Sequence, residues 1–285
     1  MTVNLTPHSV DQKKPRRALW LGIPLVLSLL AGCATGPNAN PRDPLEPFNR
    51  GVFQFNDAVD TTLLKPVATV YRDVIPSPVR QGVNNFFANL QDAWSFVNNT
   101  LQLKGQAAGD SFFRFTINTL IGLGGVLDVA TELEIEKHTK DFGHTLGYWG
   151  FASGPYLVLP LLGSSTLRDT IALPVDWKGD IVGSIADVPT RNTLKLVRVI
   201  DDRSELLKAS ALLDEIALDK YTFRRDAYLQ RRLNTIFDGN PPAEKSGELW
   251  PVQQDLVQSR TEPLPETVSE TLSDAGLPGD QKVIQ

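Results

Sequence analysis

Residues 141–169 read "DFGHTLGYWGFASGPYLVLPLLGSSTLRD". Between Asp141 and Arg168 lie 26 residues without Asp, Glu, Lys or Arg. An uncharged run of that length could cross a bilayer as a helix. It also holds five glycines and two prolines, which break helices. The stretch is therefore expected to form turns and short helices, with Ser153 and Gly154 turning before Pro155. Broken backbone at membrane depth is tolerated only where protein covers it or a wet cavity meets it. Tyr148, Trp149 and Tyr156, near the ends of the segment, suit the headgroup level of a membrane.

Upstream, residues 131–141, "TELEIEKHTKD", form a charged connection. Before it, Gly109 to Ala130 is helix-like and apolar nearly all round, with Phe112, Phe113, Phe115, Ile117, Leu120, Ile121, Leu123, Val126 and Leu127. A helix with little polar face is central in a core or in contact with lipid. Gly122-Leu123-Gly124-Gly125 is not a dinucleotide-binding fingerprint, because Leu127 stands where its third glycine belongs and no strand precedes it. It reads as a packed or kinked helix end.

The body, residues 43–240, reads as mainly α. Asp43 is a candidate N-cap, with Pro44 at the first helical position and Glu46 at the third. Leu45, Phe48, Val52, Phe55 and Val59 follow as one apolar stripe. Ser77-Pro78 opens a second helix, with Val79, Val83, Phe86, Phe87 and Leu90 apolar. Asp202 to Glu205 reads as a capping box leading into a helix to about Leu218. A last helix runs from Tyr221 to Asp238, closed by Gly239 and Pro241. No sustained alternation argues for a sheet.

The N-terminus reads as a lipoprotein signal peptide, residues 1–32. Lys13, Lys14, Arg16 and Arg17 precede an uncharged stretch from Ala18 to Ala31, too short to span a membrane. Leu30-Ala31-Gly32 then leads into Cys33, the one cysteine of the chain, in the manner of a bacterial lipobox. Cys33 is the expected lipid anchor, and residues 33–42 the expected tether. Residues 241–285, with six prolines, eight acidic and three basic residues, have the composition of a disordered tail.

The formal net charge of −5 argues against nucleic acid as a partner. With only His138 and His144 beyond the signal peptide and no spare cysteine, a Cys/His zinc site is impossible. No cofactor, metal ligand or catalytic residue is assigned. Gly150 to Gly154 is not a serine-hydrolase elbow, since Ser153 stands one place late. A lipid hydrolase built from Ser153, His144 and Asp141 remains the enzymatic alternative. Lys220, Arg224, Arg225, Arg231 and Arg232 form a basic cluster that reads as a solvated helix face or as a site for lipid phosphates.

Asp43-Pro44-Leu45-Glu46-Pro47-Phe48-Asn49-Arg50, with Phe53, Phe55 and Asn56, resembles the start of the MlaA (VacJ) family of outer-membrane lipoproteins. Phe48, Asn49 and Arg50 carry the centre of that motif. Arg114-Phe115, Asn118-Thr119, Gly122, Gly124-Gly125 and Asp128-Val129-Ala130 are similar to a second family block. Asp141-Phe142-Gly143, Thr145-Leu146-Gly147, Gly154-Pro155-Tyr156, Leu159-Pro160 and Leu167-Arg168-Asp169 are similar to a third.

The resemblance implies a single ring-like helical domain embedded in one membrane leaflet, with loops and a hairpin around a central amphipathic channel. It also implies the periplasmic face of the outer membrane as location. The implied function is removal of misplaced phospholipids from the outer leaflet and delivery to a soluble periplasmic lipid carrier, in association with trimeric porins. In that setting Arg114, Asn118, Phe115, Leu120, Phe142, Leu146 and Tyr156 are candidates for lining the channel or touching lipid. Arg114 and Asn118 have structural pairing as their alternative. Gly124, Gly125, Asp128 and Gly143 are candidate hinges of the hairpin formed by residues 131–141. A structural lipoprotein that only scaffolds porins is the other alternative.

Overall fold

The structure, a computed structural model, describes residue 40 and residues 42–242. The signal peptide, Cys33, most of the expected tether and nearly all of the acidic tail lie outside the described residues. The described chain is mainly α, as expected.

Helix α1 spans Glu46–Val59 and runs through a π-helical turn, Asp60–Leu64, into α2, Lys65–Val74. Pro66 explains the π turn. It has no N–H for the carbonyl four residues back, and its ring crowds that carbonyl. The expected N-cap at Asp43 is corrected: Leu45 holds that position and Pro47 lies in the first turn. Asp43 is buried instead, and its carboxylate receives Nδ2 of Asn49 at 2.8 Å.

Helix α3, Ser77–Leu101, has 25 residues and opens at Pro78 as expected. Helix α4 covers Gly105–Leu120. The helix expected to reach Ala130 thus stops ten residues early. A Cβ on Gly122 would lie 2.2 Å from the Leu127 carbonyl oxygen, and Leu123, Gly124 and Gly125 all take positive φ. Asp128 then caps the single turn α5, Val129–Glu132, by accepting from Thr131 N.

Residues 141–169 break as their glycines and prolines require. Asp141 caps α6, Phe142–Tyr148, in a capping box whose other member is His144. A β-hairpin follows, β1 Tyr156–Leu159 and β2 Gly163–Thr166, antiparallel with Tyr156 opposite Thr166. This hairpin corrects the expectation of no sheet. Four-residue strands are too short to show alternation. Their three-residue loop turns at Leu161, and Gly163 opens β2, both at positive φ. Thr166 then caps α7, Leu167–Gly179.

Helix α8, Val188–Glu205, is capped by Asp187. The expected capping box at 202–205 is therefore the last turn of a helix. Arg203 there grips Asp60 at the π turn, with Nε–Oδ1 at 2.6 Å and Nη2–Oδ2 at 2.8 Å. Helix α9 covers Leu207–Ile216 and α10 covers Lys220–Ile236. Asp238 and Gly239 take positive φ beyond it.

The polarity of the fold is inverted. Among the described residues, buried polar and charged side chains outnumber buried apolar ones. Phe48, Phe55, Phe113, Leu120, Ile121, Leu123, Phe151 and Trp177 are exposed. Phe48 and Phe55, two of the five residues of the stripe expected on α1, point outward, while Asn49 from the same helix is fully buried. The small apolar core unites Tyr156, Val158 and Tyr221. No helix among the described residues is long and apolar enough to cross a membrane.

Candidate functional site

The inner face of α3 is a polar stripe. Gly82, Asn85, Asn89, Asp92, Ser95, Asn99 and Gln102 recur at spacings of three and four, which is one helix face. The segment 125–145 lies along it from end to end. Asn85 Nδ2 donates to the Val126 carbonyl at 3.0 Å. Gly125 sits on Asn89, where a Cβ would lie 2.6 Å from the amide nitrogen. Asn99 Nδ2 donates to the His138 carbonyl at 3.3 Å, and Lys140 N donates to Ser95 Oγ at 3.1 Å. Thr145 Oγ1 bridges the far end, receiving Gln102 Nε2 and donating to Asn98 Oδ1.

Arg114 of α4 stands at the middle of this cover and is 2 % exposed. Its Nε donates to Asp92 Oδ2 at 3.3 Å and its Nη1 to the Ile135 carbonyl at 2.7 Å and to Thr131 Oγ1. Its Nη2 meets both oxygens of Asp128 at 3.0 and 2.9 Å. Asn118, one turn on, donates to Asp128 Oδ1 and accepts from Ala130 N, both at 2.9 Å. All three guanidinium nitrogens are thus engaged within the protein. The geometry favours the pairing reading of Arg114 and Asn118 over direct lipid contact. Burial, the largest influence, lifts the Asp92 carboxyl above its ordinary range against the pull of Lys137 and Arg114. At Asp128 burial works the same way, but Thr131, Asn118 and Arg114 outweigh it and hold that carboxyl low.

The end of the segment is fastened to α10. Asp141 receives Arg232 Nη2 at 3.0 Å, and the same nitrogen meets Asp169 Oδ1 at 2.8 Å. Arg168 and Tyr228 complete the hold on Asp169. Lys104 donates to the Ile236 carbonyl at 3.0 Å and Lys140 to the Thr235 carbonyl. Two ammonium groups thus meet the negative end of the α10 dipole. Gly143, a candidate hinge, lies in the first turn of α6, where a Cβ would meet Arg232 and Asp169 at about 2.5 Å; close packing accounts for that glycine.

His144 Nδ1 accepts from Asp141 N at 3.1 Å and faces Arg232 Nη1. Burial holds its imidazole below the ordinary range, against the pull of Asp141. Asp141 is pushed up by burial, yet His144 and Arg232 hold it far below the carboxylate range. With Nδ1 accepting N–H donors, the ring is neutral near pH 7, and the charge that keeps Asp141 ionised is that of Arg232. Among the described residues, no hydrogen bond joins exposed Ser153 to His144. No group of three or more His, Cys, Asp or Glu side chains there is arranged to hold a metal ion.

The motif near the start of the fold is a stitch between α1 and the hairpin. Asn49 donates to the Tyr156 carbonyl at 3.0 Å and accepts from Val158 N at 2.9 Å. Asn56 does the same with the Leu159 carbonyl and Leu161 N, at 2.9 and 2.8 Å. Arg50 pairs with Glu46 and Asp219 and lies over the Tyr221 ring at 4.4 Å. Tyr156, a lipid-contact candidate, is corrected to a core residue, 1 % exposed, with its hydroxyl on Ser164. Phe115, Phe142 and Leu146 are half-buried and Leu120 is 78 % exposed. The basic cluster is not one surface: Arg225 and Arg232 are inward with Asp43, Asp141 and Asp169, while Lys220 pairs with Asp214.

Sequence reasoning missed the polar stripe of α3. The signal was present in the spacing of Asn85, Asn89, Asp92, Ser95, Asn99 and Gln102, but attention to apolar positions alone passes over it.

These features define a class: a helical protein with an outer surface suited to an apolar medium and an interior of paired polar groups, without a membrane-crossing helix among the described residues. The chain belongs to the MlaA lipoprotein family, whose family model matches residues 41–235. It is 35 % identical over 241 residues to the intermembrane phospholipid transport system lipoprotein MlaA of Escherichia coli (strain K12), covering 80 % of this chain and 93 % of that protein. The protein of the same name from Haemophilus influenzae is 32 % identical over 227 residues, covering 74 % and 87 %. A solved structure described as "Structural basis for maintenance of bacterial outer membrane lipid asymmetry" superposes with a TM-score of 0.61 at 37 % identity, over 70 % of this chain and 99 % of that one.

Proposed function

We propose that this protein transports phospholipids between membranes and thereby maintains outer-membrane lipid asymmetry. The observation that carries the reading is family membership along nearly the whole length of relatives named for that transport. The inverted polarity supports it, because a lipid-facing exterior is what such a task needs.

In this reading the protein is a ring-like domain embedded in one leaflet at the periplasmic face of the outer membrane and anchored through acylated Cys33. Misplaced phospholipids leave the outer leaflet through an amphipathic channel and pass to a soluble periplasmic carrier, with trimeric porins as neighbours. No bond is made or broken. Leu120, with half-buried Phe115, Phe142 and Leu146, supplies contact with acyl chains. Gly124, Gly125 and Asp128 form the base on which the covering segment moves, and Arg114 and Asn118 hold its closed position.

The test is surface-exposed phospholipid in a deletion strain, with and without the gene restored. Accumulation that the gene reverses supports transport. Normal asymmetry after deletion points to a structural lipoprotein. Lysophospholipid or free fatty acid released by purified protein, and lost in His144→Ala, points to a hydrolase.

A further inference from the structure

The covered face of α3 holds four side-chain oxygens that no donor reaches: Asn89 Oδ1, Asp92 Oδ1, Asn99 Oδ1 and Gln102 Oε1. Each belongs to a residue no more than 2 % exposed. A buried acceptor left without a donor costs about 1–3 kcal/mol, so four on one helix face require an account. Their orientation is fixed by the other half of each group. Asn99 Nδ2 faces the Ala107 carbonyl, Ser111 Oγ and the His138 carbonyl, all acceptors, so its oxygen must point away. Asn89 Nδ2 is held by Thr119 and Gln102 Nε2 by Thr145.

The four fall into two pairs, 89 with 92 and 99 with 102, each about one helical turn apart. What they lack is a donor. The charges add a second requirement. Asp92 is the acid among the four, and a cationic donor suits its carboxylate best. A phosphate, which only accepts, cannot serve four acceptors; it would turn instead to Arg114, whose Nη1 and Nη2 partners Thr131, Ile135 and Asp128 all belong to the covering segment. A quaternary ammonium carries the charge without any N–H. A primary ammonium has positive charge and three donors together.

We propose that the polar face of α3 is a binding lane for the primary ammonium of a phospholipid headgroup, reached when the segment 125–140 lifts. The lane rests on the transport reading given above and names the headgroup chemistry that reading leaves open. Lys137, carried on the cover, is the chain's own ammonium nearest in effect to Asp92, and it is exposed rather than bonded there. Its position fits a cover that presents the same chemistry at the closed site. Positive φ at Leu123, Gly124 and Gly125 marks the start of the stretch that would move, and Glu134 turns the chain within it.

The experiment uses full-length lipidated protein in mixed micelles with equal amounts of phosphatidylethanolamine, its N,N-dimethyl form, phosphatidylcholine and phosphatidylglycerol. Retained lipid is counted by native mass spectrometry. The lane predicts retention of phosphatidylethanolamine over phosphatidylcholine by about fivefold, the equivalent of roughly one hydrogen bond, with the dimethyl form between them. Asp92→Asn lowers that ratio. Gln102→Leu is the second variant, placed where no charge is removed, and it lowers the ratio as well. Equal retention of the ethanolamine and choline lipids by the unaltered protein overturns the lane while leaving transport standing. Retention of no phospholipid at all overturns both. A lipid-loaded structure with only water at the four oxygens also overturns the lane.

Discussion

Asn49 and Asn56 stand seven residues apart on one face of α1, and each pairs its amide with the backbone of the hairpin strand. Seven helical residues rise about 10.5 Å; three extended residues, from Tyr156 to Leu159, advance about 10 Å. Two side-chain amides thus meet two successive backbone positions, at 156/158 and 159/161. The hairpin gains a substitute for a neighbouring strand from a helix.

Replacing Asn49 with Ala strips the Tyr156 carbonyl and Val158 N of their side-chain partner in a fully buried place, and takes one of three donors from Asp43. The expected cost is about 2–4 kcal/mol. Asn56→Ala, whose site is partly exposed, costs about 1 kcal/mol. Denaturant unfolding in detergent measures both, and equal effects would contradict the burial argument.

Arg114→Met removes one member of a buried charge cluster and strands Asp92. The expected loss is about 3–5 kcal/mol. Arg114→Lys recovers little, because a point charge cannot serve Asp92, Asp128, Thr131 and the Ile135 carbonyl together. Hydrogen exchange should speed up first in residues 122–136. Uniform acceleration along the chain would show that Arg114 does not act on this segment.

The pH dependence has two windows. His144 is depressed in the fold, so it contributes stability above its unfolded value of about 6.5, and that contribution is lost as the pH falls below it. Asp141 is depressed as well, and its contribution disappears only below about pH 4. Asp92, Asp176 and Asp201, raised by burial, act in the opposite sense, so the difference between two proteins is the observable. His144→Gln keeps an acceptor at that capping-box position and does not titrate. Its stability between about pH 6.5 and 4.5 should decline less than that of the unaltered protein; parallel curves would refute the assignment.

Gly122 and Gly124 separate two reasons for a glycine. A Cβ at 122 meets the Leu127 and Asn118 carbonyls at 2.2 and 2.5 Å, while at 124 it meets open space at a φ of +74°. Gly124→Ala should cost about 1 kcal/mol for its backbone conformation alone. Gly122→Ala should cost more, because backbone must move. Equal thermal shifts would remove the distinction.

Leu120→Asp changes a side chain that is 78 % exposed. Folding in detergent should be unaffected, while partition into phospholipid vesicles falls by about tenfold or more, since a buried leucine contributes about 1.5–3 kcal/mol. Vesicle flotation decides it, and unchanged flotation would move Leu120 out of the lipid-facing surface.

The helix start at Ser77, the start expected at Tyr221 and found at Lys220, and the break-up of residues 141–169 were legible because proline, glycine and capping side chains act locally. The inside of the fold was less so. An apolar stripe says that one helix face prefers an apolar medium; it does not say whether that medium is a core or a lipid. Phe48 and Phe55 lie outside any core. Asp43 and Asp202 look like caps in sequence, yet Tyr221, far along the chain, holds Asp43, and the helix already running from Val188 leaves no start for Asp202 to cap. The site followed the same rule: Arg114 and Asn118 stood out as polar residues in apolar surroundings, but their partners across the 121–135 turn did not.

The outward-facing phenylalanines, leucines and tryptophans carry a consequence for the protein before it reaches its bilayer. In water that coat has no solvent to its liking, and two molecules meeting coat to coat would bury it as effectively as lipid does. The free protein is therefore its own competitor for the membrane. Away from a membrane, that coat stays dispersed only behind a partner that shields it or at a concentration too low for self-association.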